Sequence, residues 1–178
     1  LTTRDVAYQT LLLENRAMLH KLSAEAIEEL YPERKQEFLF TLADHYHRAG
    51  VAEKAVIYLE QAARTAARLY NNRDAIAHWE KLLKWLPGLP KDTQPTEARI
   101  LLELAELNSL IGNWDETDAL LRQAAQCCQT DEDRFDLLRL KGILSFRRGD
   151  LQGALEAWKS CLELAISPTQ KAIAQGNL

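Results

Sequence analysis

The sequence predicts an all-α protein built from antiparallel helix pairs. Apolar residues recur at spacings of three and four throughout the 178 residues, as expected for helices that bury one face. Strand signals are nearly absent, because period-2 runs of Val, Ile and Thr and the turn dipeptides Asn-Gly and Asp-Gly do not occur. A pattern of small residues also returns about every 34 to 37 residues, a period typical of stacked helix pairs.

Capping and helix-breaking residues divide the first half of the chain into four predicted helices. Thr3 can cap the first helix, and Tyr31-Pro32 ends it, because the residue before a proline is pushed out of the helical region. Gly50 stops the second helix, Asn72 is predicted to cap the fourth, and Pro87–Pro90 forms the clearest loop. These helices span residues 3–30, 33–49, 52–70 and 73–86.

The second half contains five predicted helices with recognisable start signals. Pro95 suits a first helical turn, and Asn113 with Glu116 makes a capping-box pattern. Thr130 and Asp150 are predicted caps, and Ser167 with Gln170 opens a last helix that continues to the end of the chain. The helices are expected at residues 95–111, 113–128, 130–149, 150–166 and 168–178. Since the chain starts at Leu1 and stops within a helix, we expect a slice of a longer protein.

The repeated pattern combines small residues at helix crossings with Gly at the turn between the helices. Where two helices cross closely, only Gly, Ala or Ser leaves room for the opposite backbone, and larger residues fill the space beside the crossing. Trp158 and Trp114 are both interpreted as core residues. The three copies are Leu42, Ala43, Tyr46, Gly50, Ala55, Leu59 and Ala62; Leu104, Ala105, Asn108, Gly112, Thr117, Leu121 and Ala124; and Gly142, Ser145, Gly149, Ala154, Trp158 and Cys161.

These residues resemble the tetratricopeptide repeat (TPR) family over residues 36–69, 98–131 and 135–168. The resemblance implies a right-handed α-solenoid of about eight to nine helices. It gives residues 1–31 as a helical junction and N-terminal cap, 32–90 as a first TPR-like unit with an irregular extra helix, and 91–178 as further, truncated units. The repeat is compressed after Ala55, so the helix at residues 52–70 is expected to belong to two successive pairs.

A second resemblance concerns the start of the chain. Residues 1–12, together with Arg16, Leu19, His20 and Ala26, look like the junction that follows a STAND or AAA-type ATPase module in large bacterial signalling proteins. Residues 42–59 and 66–76 are similar to the first repeats of those proteins, many of which carry class III adenylate or guanylate cyclase or LuxR-type DNA-binding domains. The resemblance implies a regulatory role, but this chain carries no Gly-rich Lys-Ser/Thr phosphate loop of its own.

In a TPR stack, the first helix of each pair lines a concave surface, and the resemblance therefore implies a partner-binding face. Phe40 and Asp44 occupy places where chaperone-binding TPR modules have Lys and Asn, so a clamp for a terminal carboxylate is not expected. The implied face is a mixture of aromatic, charged and aliphatic residues: Glu37, Phe40, Asp44, His47, Arg48, Arg64, Arg68, Arg99, Leu102, Glu106, Ser109, Asp136, Arg139, Ile143, Phe146 and Arg147.

Catalytic, metal and cofactor chemistry find no support in the sequence. His45 and His47 lie two residues apart, roughly 200° around a helix, and so cannot both face one ion. His20 is interpreted as a hydrogen-bonded packing residue, and Glu28-Glu29 as an ordinary exposed carboxylate pair. We therefore expect a non-enzyme without a metal or cofactor.

The composition is that of an ordinary soluble chain. It is 47% hydrophobic and 27% charged with a net charge of -4, which excludes the basic excess of a nucleic-acid-binding domain. No apolar run approaches the roughly 20 residues that span a bilayer, no secretory signal appears, and three cysteines, two of them adjacent, suit a reducing cytoplasm.

Three functional hypotheses remain open from the sequence. The first is a cytoplasmic module that binds a protein or peptide, possibly a domain of the same parent chain, and relays that state to an attached signalling module. The second is a small-molecule sensor whose ligand lies in the concave groove. The third is a structural spacer or self-association surface.

Overall fold

The computed structural model describes residues 12–90 and 95–177, and every regular element within them is a helix. The all-α prediction is therefore confirmed for this part of the chain. The predicted cap at Thr3 lies outside the described residues. The chain divides into two compact units, Leu1–Pro90 and Lys91–Leu178.

The first unit is centred on a long helix that packs against both of its chain neighbours. This helix, α3, carries a buried stripe that includes Ala55, Leu59 and Ala62 toward the preceding helix α2, and it also packs against the following helix α4. The elements are α1 (Leu13–Leu30), a 3-10 segment (Pro32–Phe38), α2 (Leu39–Ala49), α3 (Ala52–Arg68), α4 (Asn72–Leu83) and a short 3-10 turn (Leu86–Gly88).

The second unit contains two successive helix pairs and a closing helix. The third of its helices, α7, packs against α5, α6 and α8. The last helix covers the end of the α7–α8 pair, where Phe135, Cys161, Ala165 and Ala174 form a small buried cluster. The elements are α5 (Glu97–Leu110), α6 (Trp114–Cys127), α7 (Asp131–Arg147), α8 (Leu151–Leu164) and α9 (Pro168–Asn177).

Several predicted helix starts are displaced in the structure. The helix expected at residues 33–49 becomes α-helical only at Leu39, because Arg34 leaves helical geometry at φ -118° and ψ 19° and residues 32–38 form a 3-10 segment. Asn72 is the first residue of α4 rather than its cap. Thr96 caps α5, with its hydroxyl 3.3 Å from the amide of Arg99, so Pro95 precedes the helix instead of starting it.

The capping box at Asn113 is wrong, whereas three other caps are confirmed. The Asn113 side chain donates to Asn108 Oδ1 at 3.1 Å and leaves the amides of α6 uncapped by a side chain. Thr130 accepts from the amide of Asp133 at 3.1 Å, and Asp150 accepts from the amide of Gly153 at 2.9 Å. At α9, Ser167 and Gln170 exchange hydrogen bonds as a complete capping box, each of 3.1 Å.

One turn geometry recurs four times. After α2, α5 and α7, a glycine in the left-handed region (φ 73° to 83°) closes the helix, and the next amide bonds back to a carbonyl of the last turn. The α3–α4 turn has the same geometry with Tyr70 in the glycine place, at φ 58° and 90% exposed. Left-handed geometry is sterically unfavourable for a non-glycine residue, and only the missing glycine marks this turn in the sequence.

Helix crossings occur at the predicted small residues. Ala43, Ala55, Ala105 and Ala124 are all 0% exposed. Gly142 is the tightest case, since a Cβ built on it would lie 2.1 Å from Nε1 of Trp158. The core interpretation is confirmed for buried Trp158, but it is wrong for Trp114, which lies directly after a turn and is 38% exposed.

Gly142→Ala should destabilise the second unit by about 1–3 kcal/mol, because the new methyl displaces the Trp158 ring from a packed crossing. Urea unfolding followed by circular dichroism measures the change. Gly176→Ala is the matched control, since a Cβ there meets open space in another helix. Equal stability of the two variants would contradict the tight crossing.

Tyr70→Gly should stabilise the first unit by about 0.5–1 kcal/mol, because glycine relieves the strain of the left-handed backbone. This gain in free energy exceeds the entropic cost of ordering a more flexible glycine on folding. Tyr70→Ala removes the same ring but keeps the Cβ, and it should bring no gain. Thermal unfolding of both variants separates the two effects. A gain shared by the alanine variant would assign the effect to the ring and not to the backbone.

Candidate functional site

In the first unit, two helices that are not consecutive present aromatic rings on one face. The ring of Phe40 on α2 stacks on that of His78 on α4, with centroids 5.7 Å apart. Trp85, just after α4, donates from Nε1 to Nδ1 of His47 at 3.0 Å, and the two rings meet edge to face. Each pair is 38 residues apart in sequence, so α2 and α4 run parallel and in register. We call Phe40, His47, His78 and Trp85 the aromatic face.

Both histidines of the aromatic face are held neutral. Burial, with a further contribution from Lys81, lowers the pKa of His47 and of His78. His47 accepts the Trp85 hydrogen bond at Nδ1 and therefore carries its proton on Nε2. The nearby Asp44 forms an ion pair with Arg48 at 2.8 Å. Aromatic and imidazole rings thus dominate the centre of the face, and its charges lie around them.

In the second unit, the equivalent position is occupied by ion pairs. Arg99 of α5 reaches Asp136 of α7 at 2.7 Å and Glu103 at 3.0 Å. Arg139 of α7 reaches Glu106 of α5 at 3.0 Å and Asp136 at 3.3 Å. The cross-helix pairs are 37 and 33 residues apart, so these two helices also run parallel. We call these five residues the ion-pair cluster.

The ion-pair cluster is shielded from solvent except at Glu106, whose side chain is 44% exposed. The Arg139 side chain is 16% exposed and that of Asp136 19%. Burial alone would lower the pKa of both arginines, but the neighbouring carboxylates raise it. Such shielded, hydrogen-bonded pairs hold α5 and α7 together more firmly than exposed pairs would.

The structure distributes the remaining predicted face residues unevenly. Leu102 is 2% exposed, so its assignment to a partner-binding surface is wrong; the packing of α7 on α5 buries that side of the helix. Glu37 lies on the 3-10 segment and pairs with Arg34 at 2.5 Å, and Ser109 is buried. Ile143 is half-buried, while Phe146 (54%) and Arg147 are exposed at the end of α7.

Arg64 and Arg68 lie on α3 and do not join the aromatic face. The guanidinium of Arg64 lies over the buried ring of Trp79, 5.5 Å from its centroid, and pairs with Glu60 at 3.0 Å. Arg68 donates to the hydroxyl of Thr65 at 3.0 Å. Arg64 therefore contributes to the contact between α3 and α4, whereas Arg68 forms its hydrogen bond within α3.

A carboxylate that sequence reasoning left on the surface is the polar centre of the first unit. Glu28 of α1 is 16% exposed and accepts hydrogen bonds from Tyr46 (2.5 Å), Tyr58 and Lys54 (2.9 Å). Burial would raise its pKa, but these bonds lower the pKa of Glu28 to about 2, and burial together with the same bonds raises the pKa of both tyrosines. The donors lie 18 to 30 residues away in sequence, so no local pattern marks the contact.

A second polar contact attaches α1 to α2. Nδ1 of His20 and Nδ1 of His45 lie 2.8 Å apart, which confirms the interpretation of His20 as a hydrogen-bonded packing residue. Burial, His45 and Arg48 together lower the pKa of His20. One imidazole donates and the other accepts, as two neutral rings can.

The thiols of Cys127 and Cys161 are poor nucleophiles. Cys161 is buried, and Cys127 is half-buried. Burial raises the pKa of both thiols to about 11, so they are protonated near neutral pH.

Within residues 12–90 and 95–177, no three His, Cys, Asp or Glu side chains are grouped so as to hold a metal ion. None of the helices in the described ranges has the length and apolar character needed to cross a bilayer. No protein-family model matches this chain, and no curated protein sequence is significantly similar to it.

Glu28→Gln should loosen α1, because an amide offers only one acceptor oxygen to three donors and leaves a shielded donor unpaired. Amide hydrogen exchange in α1 should accelerate about tenfold or more. The exposed neighbour Glu29→Gln is the matched control and should exchange like the parent chain.

The same bonds predict a pH dependence. Since the folded pKa of Glu28 is depressed to about 2, its stabilisation is present above its usual value near 4.5 and is lost as the pH falls toward 2. Glu28→Gln should remove this acid sensitivity of α1. An acid profile unchanged by the substitution would show that Glu28 does not hold the helix.

Proposed function

We propose that this chain is a non-catalytic, TPR-like interaction module of a larger bacterial signalling protein. It binds a protein or peptide segment on the side of each unit where parallel helices lie next to each other, and it relays that state to an attached module. In this proposal, successive helix pairs stack as a right-handed solenoid.

The observation that carries the proposal is the parallel pairing of helices two apart in the chain. A stack of helix hairpins produces this arrangement, because α2 and α4 both fold back on α3, and α5 and α7 both pack on α6. The residues implied for the concave face, including Phe40, His47, Arg99 and Arg139, meet in these pairings.

Exposed aromatic groups favour a protein or peptide over the other candidates. Phe40 is 43% exposed and Phe146 54%, and each lies beside another ring that keeps it in place. Aromatic anchors held in this way are typical of interaction hot spots. A small-molecule sensor remains the alternative, and a metabolite screen by thermal shift tests it. Light scattering over a concentration series tests self-association, which a strict monomer would contradict.

Selection of displayed random peptides against the whole chain tests the proposal. We expect peptides whose binding is weakened at least about tenfold by Phe40→Ala or Phe146→Ala, because each substitution removes an exposed anchor. Tyr70→Gly removes an even more exposed ring, 90% against 43% and 54%, from the α3–α4 turn and should leave binding unchanged. Failure to select any peptide, or equal loss with all three variants, would overturn the proposal.

A further inference from the structure

The aromatic face of the first unit is bordered by two lysines from α4 and its C-terminal end. His78, Lys81 and Trp85 recur at spacings of three and four, which places them on one side of α4 and of the turn that follows it. Lys81 acts electrostatically on both His47 and His78, and Lys84 acts on His47. The lysines therefore lie close to the rings and not on the opposite side of the helix.

The charge at this border is not neutralised within the first unit. Of the two carboxylates that act on the histidines, Asp44 is paired with Arg48 at 2.8 Å, whereas Asp74 accepts only from the neutral Asn71 amide at 2.5 Å and offsets one of the two lysine charges. In the described part of this unit, residues 12–90, neither Lys81 nor Lys84 forms an ion pair. Because the histidines are neutral, the lysines supply the unbalanced charge of the face.

We propose that the aromatic face, with Lys81 and Lys84, binds an acidic peptide segment that carries an aromatic anchor. The local charge is positive although the chain has a net charge of -4, so the patch attracts an acidic partner that the rest of the surface repels. Phe40 and the partly exposed rings of His47, His78 and Trp85 receive the anchor. This inference rests on the proposed interaction function and specifies its partner.

The ion-pair cluster of the second unit offers no comparable attraction. It matches each arginine with carboxylates of the same unit, so a charged segment would have to displace bonds of 2.7 to 3.3 Å that are already formed. The preference for acidic peptides is therefore assigned to the first unit.

Fluorescence anisotropy with the whole chain tests the inference. The probe is a labelled, C-terminally amidated peptide of Glu and Asp with one central Trp, and its counterpart has Lys and Arg in place of the acids. We expect the acidic probe to bind and the basic probe not to bind. Raising the salt concentration should weaken the complex, since the border charges remain accessible to solvent. Preferential binding of the basic probe would overturn the inference.

Charge variants locate the site. The double variant Lys81→Gln and Lys84→Gln should lose about tenfold or more in affinity, whereas Lys81→Arg with Lys84→Arg should retain it. Lys159→Gln with Lys171→Gln removes the same charge from exposed positions of the second unit and should have no effect. An equal loss with both glutamine variants would show that net charge, and not this face, governs binding.

Two further outcomes decide the class of partner. Competition by single-stranded RNA or by anionic lipid vesicles as strong as that by unlabelled peptide would overturn the peptide assignment. If displayed peptides depend on Phe40 but the lysine variants bind them normally, the acidic preference fails while the interaction function stands.

Discussion

The close approach of helices at small side chains is the constraint on which the architecture depends. Ala43 and Ala55 in one unit, and Ala105 and Ala124 in the other, are completely buried where neighbouring helices cross. At Gly142 the partner is an indole ring, and even a methyl group would collide with it. Short helix-to-helix distances of this kind allow turns of two or three residues, and they bring every second helix within side-chain reach.

The same backbone arrangement supports two different surfaces. Between α2 and α4 the cross-helix contacts are an aromatic stack and one neutral hydrogen bond, whereas between α5 and α7 they are two ion pairs, Arg99–Asp136 and Arg139–Glu106. The first arrangement leaves ring surface and cations available to a ligand. In the second arrangement the charges pair with one another, so they hold α5 against α7 and are less available to a ligand.

Sequence reasoning could predict the helices, the glycine turns and the small residues at crossings, because each depends on local chemistry or on a fixed spacing. It placed Phe40, His47, Arg99 and Arg139 on faces where the structure brings their helices together. It failed where a contact joins distant segments: the donors of Glu28 follow no periodic pattern. It also failed at Leu102, because burial by α7 depends on the stacking and not on the helix itself.

His78 and Trp85 were open to prediction but were missed. His78 follows Phe40 by 38 residues, and Trp85 follows His47 by 38 residues, a spacing close to the repeat period. The spacing becomes visible once the compressed region around Tyr70 is treated as an ordinary turn. The absent glycine concealed this regularity. Tyr70 adopts left-handed geometry that non-glycine residues rarely adopt, because the Cβ atom makes it sterically unfavourable. A search for glycine turns therefore misses this turn.

The attachment of α1 has a thermodynamic consequence. Along its 18 residues only Ala24 is fully buried, while Leu12, before its first turn, and Leu22 and Leu30 are more than half exposed. The hold of α1 on the unit combines its packing against α2 with the Glu28 and His20 hydrogen bonds. Heat capacity changes and denaturant sensitivity follow the apolar area exposed, so release of α1 would change both by less than release of α3, which has seven buried residues. A calorimetric or urea transition would therefore report mainly the unfolding of α2 to α4.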